Sequence, residues 1–71
     1  MAEVLGEMAG VVARITVQVG DQVSAGQELL VVESMKMEIP LLAPIGGTVQ
    51  EVRVAVGAFV QAGDVLAVVE A

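Results

Sequence analysis

Residues 10–33 align with residues 47–70 without a gap, at a constant offset of 37 positions, and this internal repeat constrains the fold more than any other feature. The identical pairs are Gly10/Gly47, Val12/Val49, Val17/Val54, Val19/Val56, Gly20/Gly57, Val23/Val60, Ala25/Ala62, Gly26/Gly63, Leu29/Leu66, Val31/Val68, Val32/Val69 and Glu33/Glu70. Glycines are among them, so valine-rich composition alone does not explain the agreement. Within the first copy, residues 13 to 19 alternate with apolar side chains on one face, the period of a half-buried strand. The second copy alternates from Glu51 to Val56, and the consecutive polar residues Gln50 and Glu51 predict a bulge or bend. Gly20, Gly26, Gly57 and Gly63 fall between apolar runs, where a reversal needs backbone angles that a Cβ disfavours. No window carries a helical stripe. The expected elements are eight short strands near residues 3–5, 11–18, 22–24, 28–33, 37–42, 48–55, 59–61 and 65–70, four from each half. Two similar halves imply an all-β sandwich with internal pseudo-twofold symmetry.

A chain of 71 residues holds one domain, 1–71, and a domain this small needs efficient packing unless a disulfide or metal braces it. There is no cysteine and no histidine, which removes disulfides and the usual zinc ligands. The core must be aliphatic, with Phe59 as the one aromatic residue. Two full periods would need three residues more than the chain has. The missing positions fall where the second half would repeat the Glu33–Met37 connection, so Met1 and Ala71 are expected together, at the pole opposite that connection.

Several function classes are disfavoured by the same residues. The longest uncharged stretch, Ile39 to Gln50, contains two prolines and two glycines and cannot span a bilayer as a helix. The N-terminus has Glu3 and Glu7 and no basic residue, unlike a secretory signal. A net charge of -6 and the lack of an aromatic platform argue against nucleic acid. The absence of cysteine fits a reducing compartment, with the cytoplasm as the default expectation.

The connection between the halves, Glu33-Ser34-Met35-Lys36-Met37-Glu38, breaks the rules for a tight hairpin, which favours Asn-Gly or Asp-Gly at the tip. Here the expected tip is Met35-Lys36, and Lys36 is the only lysine of the chain. By itself a lysine at a turn is an ordinary solvated charge. Local sequence that breaks a structural rule marks function more often than accident.

Glu33-Ser34-Met35-Lys36-Met37 resembles the biotin-attachment motif of biotin carboxyl carrier domains, commonly Glu-Ala/Ser-Met-Lys-Met. The resemblance extends through Gly20-Asp21, Val23 and Gly26-Gln27 before the motif, and Ala43-Pro44, Gly47, Val49, Gly57 and Gly63 after it. Glu7 departs from it, standing where a proline matching Pro44 is common. The segment from Val17 to Val23 is too short for the protruding thumb of some bacterial acetyl-CoA carboxylase carriers, so the chain is similar to the thumbless type. The resemblance implies a flattened barrel-sandwich of two four-stranded antiparallel sheets. It implies covalent biotin on Lys36, attached by a biotin protein ligase, and transfer of CO2 as carboxybiotin from a biotin carboxylase to a carboxyltransferase. Glu33, Ser34, Met35, Met37 and Glu38 become the candidate recognition residues for ligase and partners.

The amine chemistry supports a passive role. An attacking amine must be unprotonated, whereas lysine in water is charged near neutral pH, and the chain offers no histidine or other credible general base. Activation must come from a separate enzyme, which makes the chain a substrate and carrier and not a catalyst. Met35 and Met37 have little core to fill at a hairpin tip and are read as an adaptable contact surface. Glu33 and Glu38 are read first as cross-strand charges, and Pro40 as the mark of an edge strand. Two alternatives stand beside the biotin reading. Lipoyl carriers resemble the chain in fold but usually place Asp before and Ala after the lysine, and unmodified lipoyl-like interaction modules lack a lysine between methionines.

Overall fold

The computed structural model describes residues 1–71 and contains eight strands and no helix. They are β1 (Ala2–Leu5), β2 (Gly10–Ile15), β3 (Gln22–Val23), β4 (Glu28–Ser34), β5 (Met37–Leu42), β6 (Gly47–Val52), β7 (Phe59–Val60) and β8 (Val65–Glu70). Two four-stranded antiparallel sheets form, ordered β1-β8-β6-β3 and β5-β4-β2-β7. A shift of 37 positions carries β2, β3, β4 and the end of β5 onto β6, β7, β8 and back onto β1, and so converts one sheet order into the other. Each sheet draws two strands from each half, so neither half forms a sheet alone.

The all-β class and the two antiparallel sheets agree with expectation, while strand ends and face patterns differ. β2 and β6 stop at Ile15 and Val52, earlier than the alternation predicts. Beyond those ends only a single ladder-like bond persists in each half, Thr16 N–H to the Leu29 carbonyl and Arg53 N–H to the Leu66 carbonyl, at 2.9 and 2.8 Å. The bulge expected at Gln50 lies between Val49 and Glu51, and its counterpart lies between Val12 and Arg14, where the sequence reads as an uninterrupted strand. The small, tolerant side chain of Ala13 hides that second bulge from a polarity pattern.

The inner faces of the sheets meet in an aliphatic core that is itself repeated. Val4/Leu41, Val12/Val49, Val23/Val60, Leu29/Leu66, Leu30/Ala67 and Val32/Val69 are all buried in it, each pair 37 positions apart. The central strands β4 and β8 depart from the one-wet-face pattern, being buried at every position of Leu29–Val32 and Leu66–Val69. On the outer face Val31 sits in register between Arg14 and Pro40, and Val68 between Glu3 and Glu51. Flanking long side chains can shield a valine there with their aliphatic stems while their charges stay in water. Pro40 lies on edge strand β5, where its missing N–H costs no ladder bond.

Turns at fixed places close the strands. Gly20, Gly26, Gly57 and Gly63 all have positive φ, from 86° to 97°, which L side chains avoid. Gly26 N–H donates to the Ala43 carbonyl, and Gly47 packs against Glu70 and Ala71, so these loops gather at the pole holding the chain ends. Gly6 N–H donates to the Asp64 carbonyl, and Ser34 reaches Ala9, which joins a second set of loops at the other pole. β4 runs from the first pole to the second and delivers the chain into the β4–β5 hairpin there.

Candidate functional site

The hairpin closes with Ser34 paired to Met37, leaving Met35 and Lys36 as a two-residue tip. Their φ values are 51° and 66°, the only positive ones outside glycine. A two-residue connection whose twist matches the flanking strands needs positive φ at both central positions, so the ladder imposes a backbone that methionine and lysine disfavour. The expected tip is therefore the observed one, and the strain is local to it.

Ser34 helps to hold this geometry. Its hydroxyl donates to the Ala9 carbonyl at 2.7 Å, tying the hairpin to the loop between β1 and β2. Met35 and Met37 are 89% and 66% exposed, so neither fills the core. Lys36 is exposed and takes part in none of the ion pairs. Its amine stands free at the end of a four-carbon stem, on a backbone fixed by the strands below.

Glu33 and Glu38 are directly opposed across the β4–β5 ladder, an arrangement of like charges that is unfavourable. Arg14 relieves it: its Nη1 lies 3.4 Å from Glu38 Oε1, and its Nε lies 3.9 Å from Glu28 Oε2. Sequence reasoning missed Arg14, because the bulge at Ala13 decides which face it occupies. These pairs are exposed, so each contributes at most about 1 kcal/mol. Glu33 makes no ion pair.

The tip fits a covalently attached group. It offers one accessible primary amine, no neighbouring side chain engages that amine, and no hydrogen-bonded partner must be displaced to acylate it. The family model described as "Biotin-requiring enzyme", that of the biotin/lipoyl domains, matches residues 2–69. The chain belongs to the biotin/lipoyl attachment family. Relatives of this biotin/lipoyl domain include the "Biotin/lipoyl attachment protein" of Bacillus subtilis (strain 168), 51% identical over 37 residues, which are 52% of this chain and 51% of that protein. The "Biotinylated protein TB7.3 homolog" of Mycobacterium leprae (strain TN) is 49% identical over 46 residues, covering 63% of this chain and 65% of that one. The matches thus span between half and just under two thirds of these relatives. In three dimensions the domain is similar to part of the urea carboxylase of Kluyveromyces lactis, with a TM-score of 0.92 and 32% identity over 97% of this chain and 6% of that chain.

Proposed function

We propose that Lys36 is acylated by a biotin protein ligase and that the biotinylated chain serves as the mobile carrier of CO2 in a biotin-dependent carboxylase. The observation that carries this reading is the free Lys36 amine on a strained two-residue tip, between two exposed methionines. The family includes proteins named for biotinylation, and the similarity to part of a urea carboxylase supports a role beside carboxylase subunits. When attached, biotin supplies the CO2-carrying chemistry.

The chain's own residues bind, position and present. The Lys36 amine attacks an activated biotinyl carboxyl carbon held by the ligase; an amide bond forms, the activating group leaves with its bonding electrons, and the amine's protons pass to the ligase or solvent. β4 and β5 hold the tip rigid while the lysine stem stays flexible, so Lys36 would present an attached group to two active sites at high effective concentration. A biotin carboxylase and a carboxyltransferase are the partners this role requires. Met35 and Met37 offer polarisable contact surface to ligase and partners, with Glu33, Ser34 and Glu38 bordering it.

Intact-mass measurement after incubation with biotin, ATP and purified biotin protein ligase tests the reading. One biotinyl adduct is expected on the parent chain and none on Lys36→Ala. A lipoyl adduct formed instead after co-expression with both ligases, or no adduct at all, overturns it.

A further inference from the structure

The internal repeat supplies a control for surface residues outside 35–37, because each can be compared with the one 37 positions away in the same fold. Leu5/Leu42 and Val19/Val56 are exposed apolar residues in both halves, so the shared fold accounts for them. Met8, Val11 and Phe59 are exposed and have no exposed apolar counterpart, and all three lie at the Lys36 pole together with Met35 and Met37, whose repeat positions fall outside the chain; Met1, answered by Glu38, is the exposed apolar residue of the chain end at the other pole. At the opposite pole Val11 and Phe59 are answered by the polar Thr48 and Gln22, and Met8 by Ile45, which packs against the core. The fold is therefore satisfied by polar residues where the Lys36 pole displays apolar ones.

These residues form a surface with a definite order. Phe59 pairs with Val11, Val11 with Glu33, and Glu33 with Glu38, so the four stand in one row across β7, β2, β4 and β5 on the outer face of the sheet. Phe59 is 65% exposed and Val11 43%. The row lies one residue below the Ser34–Met37 pair that closes the tip. Half of it is apolar and half acidic; Glu33, like its counterpart Glu70, has no cation of its own chain, so the apolar half is what distinguishes this pole.

We infer that this row is the docking face for the enzyme that acylates Lys36, a protein surface presenting an apolar contact flanked by lysine or arginine. The inference rests on the biotinylation reading above. The partner must approach the tip, and an apolar pair, Phe59 and Val11, with an unpaired carboxylate on the next strand is a surface that a cationic, partly apolar enzyme face complements.

The test transplants the opposite pole's residues: Val11→Thr with Phe59→Gln, assayed as substrate for purified biotin protein ligase with biotin and ATP. The expected result is a rise of about tenfold in KM for the chain, with kcat changed less than about twofold and an unchanged urea midpoint. The mirror variant, Gln22→Phe with Thr48→Val, should leave KM as in the parent. An unchanged KM in the first variant, or an equal rise in the mirror variant, overturns the docking face while leaving Lys36 as the acceptor. A parent chain that takes no biotinyl adduct overturns both readings. Two other occupants would each overturn the assignment: a second copy, shown by a parent dimer in sedimentation that the first variant abolishes, and the chain's own biotinyl group, shown by Phe59 ring NMR shifts on biotinylation with KM unaffected.

Discussion

Replacing the strained tip by the residues its backbone prefers, Met35→Asn with Lys36→Gly, should stabilise the domain while removing the proposed acceptor. Left-handed φ costs a residue with a Cβ roughly 1–2 kcal/mol, and both tip residues are in that region, at 51° and 66°. Asparagine tolerates the conformation, and glycine adopts it freely but gives back roughly 0.5–1 kcal/mol through the entropy of the unfolded chain. Little else changes, because Met35 is almost wholly exposed and Lys36 forms no ion pair. The net gain is about 1–2 kcal/mol, which for a domain of this size raises Tm by roughly 5–15 °C. Met35→Asn alone should give about 1 kcal/mol and retain the lysine. Urea and thermal unfolding followed by circular dichroism measure the change, and intact mass reports the acceptor. Unchanged or lowered stability in both variants would show that the tip stores no strain, and the conflict between turn chemistry and function would disappear with it.

Leu29→Ala and Leu66→Ala each empty a fully buried position on a central strand and should cost about 2–5 kcal/mol in urea unfolding; a loss below about 1 kcal/mol would contradict the shared core. Ser34→Ala removes the 2.7 Å bond to Ala9 and should cost about 1 kcal/mol, with faster amide exchange in the hairpin than in β6 and β8; uniform exchange would refute the tie. The Arg53 guanidinium, hydrogen-bonded to Glu51, holds that carboxyl below its ordinary value of 4.5. Because the folded-state value is the lower one, the stabilisation is present above about pH 4.5 and is lost as pH falls through the depressed value. Glu51→Gln should therefore flatten the acid decline of the urea midpoint, and an unaltered pH profile would remove the pair from the account.

The β4–β5 hairpin was legible because its rule is local. A two-residue connection between apolar runs names its own tip, and Met35-Lys36 violates the preference for Asn-Gly visibly. The residues around the tip were legible only as neighbours in sequence. Arg14 and Ala9 enter the hairpin from 24 and 25 positions away, one through a bulge and the other through a carbonyl, and neither leaves a mark on local patterning. Val11 and Phe59 read as ordinary apolar strand residues until the pairing put them side by side.

By itself the sequence determined the number and places of the strands, the turn glycines, the pseudo-symmetry and the exposed lysine, because a period of two and the φ > 0 requirement act within a few residues. Tertiary structure alone decided the partition β1-β8-β6-β3 and β5-β4-β2-β7, the burial of β4 and β8 on both faces, and the row Phe59–Val11–Glu33–Glu38. Backbone donors and acceptors are the same in every strand, so which strands pair is settled only when both sheets close over one core.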